Sequence, residues 1–393
     1  MNVAQPFRAA SRAAAGRPKG LRYRRPRSKF LSNTFLCVLC ALCVHRGAAA
    51  DGALDRQPPR EQRLLYVALP DSDADVDRSI RILVFDIANG HRPVRRIALW
   101  PAAPGDEAET VRGIAAHAGS GRLYVSTTKR LAAFDLVKDT IVWEKRFDAH
   151  CCERMAVSPD GDTIYAPAFG SPRWYVVHAA TGEQRASISV TGWPRATIYS
   201  RDGRYAFLGA WDSPVLSVAD TARHAVVRTV GPFGGSVCPF TVNGKNTLVF
   251  SNVDGLVGFE VGDLQTGLVL DRVAVDGYDK TTAAPYECPS HGIAFTPGER
   301  ELWVADGVRN RINVFDGAVY PPAPLAAIEL SAQPRAITFS VDGRYAYAST
   351  GEVLDTAIKK ISGRLEDTGH ATVSSEHLVE IDFLDGRPIR SGR

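Results

Sequence analysis

The 393-residue sequence has no apolar stretch of the ~20 residues that a membrane-spanning helix requires. Its longest mostly apolar segment, residues 30–44, has 15 positions. Apolar residues that repeat with the 3.6-residue helical period are also scarce, which excludes a helical bundle. The 23% of charged residues is too low for a coiled coil, and the 45% of hydrophobic residues is too high for a disordered chain. These absences leave a globular chain built mainly from β-strands.

The signatures of several enzyme classes are missing as well. There is no G-x-S-x-G nucleophile elbow and no H-E-x-x-H zinc motif. Gly244-Lys245 lacks the spaced glycine before it and the Ser or Thr after it that a phosphate-binding loop needs. No C-x-x-C-H motif is present for covalent attachment of a c-type haem. The sequence therefore predicts no cofactor.

Acidic residues are absent from the first 50 positions, which hold ten Lys and Arg residues between Arg8 and Arg46. The remaining positions contain 37 basic and 43 acidic residues, so their net charge is −6 although the whole chain carries +4. A nucleic-acid-binding domain is normally basic. We therefore expect no nucleic-acid partner.

The basic first segment continues into residues 30–44 and then into Ala48-Ala49-Ala50. A basic region, a short apolar region and small residues at a cleavage site are typical of a secretory signal peptide. We predict a signal peptide with a long basic region over residues 1–50, cleaved after Ala50, and a linker over residues 51–63. The mature chain would be periplasmic or extracellular. The alternative is an uncleaved leader that anchors the chain in a membrane, which would favour a structural role at the cell surface.

A repeat of about 40 residues runs through the rest of the chain. In each copy an alternating apolar strand meets a tight turn containing Gly, Asp or Asn, and a second strand follows. An Asp-Gly turn between apolar strands is the strongest short-range signal of a β-hairpin. The copies are MAVSPDGDTIYAPAF (155–169), ATIYSRDGRYAFLGA (196–210), AITFSVDGRYAYAST (336–350), GIAFTPGERELWVAD (292–306), GIAAHAGSGRLYVST (113–127) and the shortened TVNGKNTLVFSN (241–252).

A third strand follows each hairpin, and usually a fourth. We assign the third strands to residues 82–87, 131–136, 174–179, 216–220, 257–261, 312–316 and 378–383. A four-stranded unit cannot bury both of its faces alone, and radial stacking of such units buries them. We therefore predict an all-β fold over residues 64–390, a seven-bladed β-propeller of four-stranded antiparallel blades. A pair of sandwiches would not keep so steady a period.

The first unit is incomplete. It opens at LLYVAL (64–69), which matches the second strand of the other units. Its innermost strand is either missing or supplied by residues 51–60 or by the C-terminus. The sequence leaves the closure of the ring open.

The S-P-D-G turn, the LYVA-like strand after it and the apolar-Asp third strand resemble the YVTN β-propeller repeat family, over residues 64–390. The resemblance implies secreted or periplasmic proteins. Similar propellers occur as the β-chain-like subunits of quinoprotein amine dehydrogenases, in haem d1 enzymes and in lactonases. The sequence departs from the family in lacking a literal YVTN string and in its abbreviated fifth repeat. The WD40 signature is absent, because Trp211-Asp212 follows a second strand and does not end a third.

The longer loops fall on one face of the predicted propeller, which we call the top face. It carries the loops that enter the first strand of each blade and those that join strands two and three. Loops on a rigid scaffold commonly carry function. Alignment of the units on their turn glycines places Glu153, Arg195, His291 and Arg335 at the top mouth of the central channel, with Arg154 and Arg112 next to equivalent positions.

These residue types allow three interpretations. Converging Arg side chains present forked donors to a carboxylate or phosphate, which predicts binding of a small anionic molecule or a partner protein without chemistry of its own. His291 and Glu153 could instead transfer protons, as in a lactonase-like hydrolase, and a quinoprotein dehydrogenase-associated subunit is a further alternative. In the third interpretation they are ordinary ring positions, with each Arg solvated or paired with a neighbouring acid.

Four cysteines lie in the predicted mature chain, all just before inner strands. Cys238 and Cys288 fall in adjacent blades and are the best candidates for a disulfide, since an exported chain favours disulfides. Cys151 and Cys152 could form a vicinal disulfide or pair elsewhere. Free thiols, or a metal site that includes His291, are the alternatives.

Four acidic residues alternate along one loop: Asp71, Asp73, Asp75 and Asp77. Alternate carboxylates are the spacing of a calcium loop. However, Val76 stands where the turn glycine belongs, and Ile82 where the bidentate Glu belongs. A solvated loop tip is the simpler interpretation of this segment, with a calcium site as the alternative.

Six aromatic residues fall in or beside the predicted top loops: Trp100, Trp193, Trp211, Phe233, Phe240 and Tyr286. Aromatic rings can form a stacking pocket for a ligand, and they also pack between blades. The sequence does not decide between these two roles.

Overall fold

The computed structural model describes residues 60–69, 80–100, 109–147, 151–168, 170–275 and 288–392. The chain divides into two units, Met1–Asp55 and Arg56–Arg393, and all described residues belong to the second. The predicted signal peptide lies outside the described residues. Among the residues that are described, no helix is long and apolar enough to cross a membrane.

Strands make up almost all of the regular structure in the described residues. The first half holds β1 (Glu61–Ala68), β2 (Ile80–Asp86), β3 (Arg92–Trp100), β4 (Val111–His117), β5 (Arg122–Thr127), β6 (Arg130–Asp135), β7 (Thr140–Arg146), β8 (Ala156–Val157), β9 (Thr163–Pro167), β10 (Arg173–His178), β11 (Gln184–Ser189), β12 (Trp193–Tyr199), β13 (Tyr205–Trp211), β14 (Leu216–Asp220) and β15 (Ala225–Val230), with a 3-10 helix at Ala118–Ser120. The second half holds β16 (Val237–Val242), β17 (Leu248–Val253), β18 (Gly258–Asp263), β19 (Val269–Ala274), β20 (Ile293–Phe295), β21 (Glu301–Asp306), β22 (Arg311–Asp316), β23 (Ala323–Glu329), β24 (Ile337–Phe339), β25 (Tyr345–Ala348), β26 (Glu352–Asp355), β27 (Lys360–Arg364), β28 (Leu378–Leu384) and β29 (Arg387–Ser391).

The described strands form seven antiparallel sheets, as the sequence predicted. Blades 2 to 7 each contain four consecutive strands, from β4–β7 through to β24–β27. Blade 1 has five strands in the order β29-β28-β1-β2-β3. The fold is therefore a seven-bladed β-propeller.

The repeated Ser-x-Asp-Gly turn explains why the hairpins form where they do. In blade 4, the Ser200 hydroxyl donates to the Asp202 carboxylate at 2.6 Å and accepts the backbone N–H of Tyr205 at 2.9 Å. Gly203 has φ +71°, a conformation that costs glycine little. The turns at Ser158 and Ser340 make the same contacts. The motif closes each hairpin through its side chains.

The core lies between neighbouring blades. Strands two and three of each blade are apolar on both faces; in β2, for example, six of seven residues are buried. Trp174 of blade 3 and Trp303 of blade 6 are both fully buried, each in a cluster with residues of the next blade. The fourth strands are mostly exposed, as in β7. Each blade therefore depends on its neighbours to bury its faces.

The C-terminus closes the ring. β28 pairs antiparallel with β1 from Leu378↔Val67 to Leu384↔Glu61, so it takes the place of the inner strand, strand one, in blade 1, and β29 pairs with its other edge. Our assignment of residues 378–383 to a third strand was wrong; the third strand of blade 7 is β26. The apolar-Asp pattern of Ile381-Asp382 imitates a third strand locally, and only the pairing partner distinguishes the two positions. Of the sources that the sequence left open for the missing strand, the C-terminus is the correct one.

Candidate functional site

The predicted site residues all lie at the start of an inner strand, on the same side of the ring. Where strand one pairs with strand two, Arg112 in β4 and Arg195 in β12 each stand between two residues whose partners are consecutive, so each is the extra residue of a β-bulge. Such an extra residue in a β-bulge re-aims its side chain. Arg154 precedes β8, and its backbone pairs with blade 4 through Arg154 N–H to the Arg195 carbonyl at 3.2 Å. The backbone thus holds Arg154 and Arg195, from neighbouring blades, beside one another.

A residue that the sequence analysis missed joins two of the predicted arginines. The Glu376 carboxylate lies 2.6 Å from Arg154 Nη2 and 3.0 Å from Arg335 Nε. Glu376 stands in the connection between β27 and β28, so it bridges blades 3 and 7 across the mouth of the channel. The next residue, His377, is within electrostatic range of Arg154, Arg112 and Arg195.

Glu153 forms the second acidic centre. Its side chain is only 8% exposed, and its carboxylate lies 3.6 Å from Arg112 Nη1. Burial raises the pKa of this carboxyl, while the charges of Arg195, Arg112 and Arg154 act to lower it. Burial also lowers the pKa of the Arg195 guanidinium. Burial therefore disfavours the charged form of both residues.

The two histidines are uncharged at neutral pH. His291 is buried, and its Nδ1 lies 3.2 Å from the Arg335 carbonyl oxygen, which can only accept a hydrogen bond. Burial lowers the pKa of His291 to about 4, and the charges of Arg154 and Arg195 act in the same direction. Burial and Arg154 lower the pKa of His377 to about 3.

We call these eight residues the mouth cluster: Arg112, Glu153, Arg154, Arg195, His291, Arg335, Glu376 and His377. The structure brings all six predicted residues together and adds Glu376 and His377. By formal charge the cluster contains four guanidinium groups and two carboxylates. Among these eight described residues the positive charges therefore outnumber the negative charges by two.

A cavity of about 380 Å³ adjoins the mouth cluster at Glu153 and Arg195. Trp193 and Trp211, which face each other across β12 and β13, form part of its wall. The Arg195 guanidinium lies over the Trp211 ring, 3.9 Å from its centroid.

Three other aromatic candidates lie elsewhere. Phe233 and Phe240 belong to a core cluster, and Trp100 donates its indole N–H to Glu144 at 2.7 Å. Tyr286 lies outside the described residues. Of the five predicted aromatics that the structure describes, only Trp193 and Trp211 line this cavity.

The four cysteines form two pairs. The sulfur atoms of Cys238 and Cys288 are within disulfide-bonding distance, with Cα atoms 6.2 Å apart, and this bond links blade 5 to the segment before blade 6. The sulfur atoms of Cys151 and Cys152 are also within bonding distance. All four cysteines are buried, and Cys151, Cys152 and Cys288 lie within three residues of a mouth residue. Disulfide sulfurs are not thiolate ligands, which argues against the metal alternative at these positions.

Metal binding has no further support in the described part of the chain. There, no group of three or more His, Cys, Asp or Glu side chains is arranged to hold a metal ion. The calcium candidate, Asp71, Asp73, Asp75 and Asp77, lies outside the described residues.

The histidines predict a measurable pH effect on stability. The folded-state pKa of His377, about 3, is below its ordinary value of 6.5, so acidification protonates the unfolded chain first. Its contribution to stability is present above pH 6.5 and is lost as the pH falls toward 3. We expect His377→Gln to lose less stability than the wild type between pH 6.5 and 4, by up to about 1 kcal/mol per pH unit. Denaturant unfolding at several pH values measures this, and parallel curves would contradict it.

Comparisons with known proteins support the fold alone. No protein-family model matches the chain, and neither does any curated protein. Among solved structures, the chain is similar to hydrazine synthase from Kuenenia stuttgartiensis, with a TM-score of 0.56 and 16% identity over 71% of this chain and 90% of that one. It is also similar to the β-propeller domain of Cps50 (Swd1) from Myceliophteria thermophila, with a TM-score of 0.53 and 9% identity over 69% and 87% of the two chains. At these identities the similarity establishes a β-propeller, and the relation to the YVTN family stays a resemblance.

Proposed function

We propose that this chain is an exported β-propeller that binds a small anionic molecule at the top mouth of its channel, without chemistry of its own. The observation that carries the proposal is the convergence of four arginines on two carboxylates in the mouth cluster. Converging guanidinium groups attract an anion and present several N–H donors to it. A bound carboxylate or phosphate would accept hydrogen bonds from them.

The arginines are suited to this task. A guanidinium group offers forked N–H donors that match the two oxygens of a carboxylate, and it stays charged at any physiological pH. Glu376 is an internal example of a carboxylate bound by these arginines, because one of its oxygens contacts Arg154 and the other contacts Arg335. An external anion in the adjoining cavity would make the same kind of contact with Arg195, which lines that cavity.

Export is supported by the paired cysteines, since disulfides persist in oxidising compartments. The signal peptide over residues 1–50 remains a prediction from the sequence. A periplasmic or extracellular propeller would meet small anions from the surroundings of the cell.

A hydrolase of the lactonase type is the second candidate. It is favoured by the raised pKa of Glu153, which suits a proton donor, and by the neutral His291 in the same cluster. It predicts turnover of lactones that disappears in Glu153→Gln. Binding of carboxylates without any turnover would exclude it.

The subunit and partner alternatives use the same face. A protein partner, or a quinoprotein to which the chain belongs as a subunit, would cover the mouth and exclude small anions from it. If the chain binds the anion equally well without and with such a partner, the partner does not cover the mouth and this arrangement is contradicted.

The proposal is tested by Arg335→Gln. We expect the affinity for citrate or phosphate, measured by isothermal titration calorimetry, to fall about tenfold or more, because a hydrogen bond to a charged group contributes about 1.5–3 kcal/mol. Affinity of the wild type should also fall as salt is added. Arg201→Gln is the matched control, since Arg201 pairs with Glu299 at the turns on the opposite face. Equal anion affinities of Arg335→Gln and Arg201→Gln would contradict the proposal.

A further inference from the structure

The cavity beside the mouth cluster has one polar end and an apolar wall. Glu153 and Arg195 line it where it meets the cluster, and Trp193 and Trp211 line it farther out. Ala168 and Gly170 belong to the same lining, and their small side chains leave its volume of about 380 Å³ open. That volume fits a small molecule with a single ring.

Trp193 and Trp211 are placed to contact a ligand. They are register partners on antiparallel strands, so their side chains leave the sheet on the same face. Trp193 is 49% exposed, whereas Trp174 and Trp303 are fully buried between blades. Half of the Trp193 side chain thus takes no part in packing the propeller. An indole exposed at the rim of a cavity offers a flat apolar surface for stacking.

Arg195 connects the wall to the cluster. Its guanidinium stacks on Trp211 at 3.9 Å and is also coupled electrostatically to Glu153. Stacking holds the planar fork in one orientation, which reduces the entropy lost when the fork binds a carboxylate. A carboxylate bound there would hold its substituent against the two indoles.

We propose that the anionic ligand of this propeller is a small carboxylic acid carrying a planar aromatic ring. Its carboxylate binds the arginines of the mouth cluster, and its ring stacks on Trp193 inside the cavity. The inference rests on the proposed anion-binding function and adds that the ligand carries an aromatic ring. Of the eight described residues that line the cavity, three carry a charged side chain, Glu153, Arg195 and Asp212, and the others are apolar or aromatic. A sugar ring would need hydrogen-bond partners around its whole edge, so an aromatic ring fits this distribution better.

Calorimetric titration of the full chain with four carboxylates tests the proposal: benzoate, cyclohexanecarboxylate, glucuronate and acetate. Benzoate and cyclohexanecarboxylate differ in the planarity of the ring at nearly equal size. We expect benzoate to bind several-fold more tightly than cyclohexanecarboxylate and at least tenfold more tightly than acetate. Trp193→Ala should abolish the preference for benzoate and leave acetate binding unchanged, while Trp193→Phe keeps it. Tyr320→Ala, at an exposed aromatic residue between β22 and β23, is the control and should change none of these affinities.

The outcomes separate the two proposals. If acetate and benzoate bind equally, both depending on Arg335, anion binding stands and the aromatic ligand is wrong. If glucuronate binds most tightly and needs Trp193, the ligand is a sugar acid and the inference is overturned. If no carboxylate binds and Arg335→Gln changes nothing, both proposals fail. Circular dichroism of each variant confirms that it is folded before its affinity is interpreted.

Discussion

Deletion of residues 378–393 is expected to leave no folded propeller. The deletion removes β28, the inner strand of blade 1, whose side chains Leu378, Val379, Ile381 and Phe383 are buried. Burial of each such side chain contributes about 1.5–3 kcal/mol, so the loss is about 6–12 kcal/mol. A whole domain is stable by only about 5–15 kcal/mol. The hydrogen-bonding edge of β1 would also be left without its partner.

A shorter deletion provides the control. A chain ending at Gly386 loses only β29, in which Ile389 is 51% exposed and Arg390 pairs with Asp382. We expect this chain to fold with a modestly lower melting temperature. Circular dichroism with thermal melting and size-exclusion chromatography compare the two. A cooperative melt of the longer deletion near the wild-type temperature would show that closure by the C-terminus is dispensable.

Replacement of Glu376 by Gln is expected to tighten anion binding by about tenfold. The wild-type carboxylate occupies Arg154 and Arg335, and its removal raises the positive excess of the mouth cluster from two charges to three. Two unit charges about 4 Å apart near a protein surface interact by about 1–4 kcal/mol, so a tenfold gain, about 1.4 kcal/mol, is within reach. In the absence of ligand the same change should destabilise the fold by about 1–3 kcal/mol, because two half-buried arginines lose their counter-charge.

Glu366→Gln is the matched control for this experiment. Glu366 lies in the same connection between β27 and β28, but its side chain is 45% exposed and pairs with His370. Its replacement should change neither affinity nor stability. Calorimetric titration with citrate and denaturant unfolding supply the two measurements. A weaker affinity of Glu376→Gln would mean that the glutamate takes part in binding the ligand, which contradicts its role as an internal counter-ion.

The local patterns of the sequence were sufficient to predict the hairpins of the blades. The Ser-x-Asp-Gly turns predicted the hairpins because their side chains close the turn within a few residues, as Ser200 and Asp202 do. The same reasoning failed at residues 378–383. An apolar strand that contains an Asp has the same sequence pattern wherever it lies in a blade. The strand that pairs with residues 378–383, β1, begins more than 300 residues earlier in the chain.

That error also hid part of the site. Had residues 378–384 been assigned to an inner strand, Glu376 and His377 would have fallen directly before that strand, much as Glu153 and Arg154 lie just before β8. The six predicted members were found because their positions repeat with the turn glycines. The turn after β28, Asp385-Gly386, leads into β29 and not into β1, so alignment on the turn between strands one and two could not reach the loop before β28.

The amino-acid sequence by itself determined the strands, the turns and the number of blades, because hairpins are held by contacts between residues close together in the chain. The tertiary structure alone decided how the ring closes and which charges share the mouth. Those features depend on residues hundreds of positions apart, such as Arg154 and Glu376, that are brought together only when the last inner strand pairs with the first blade.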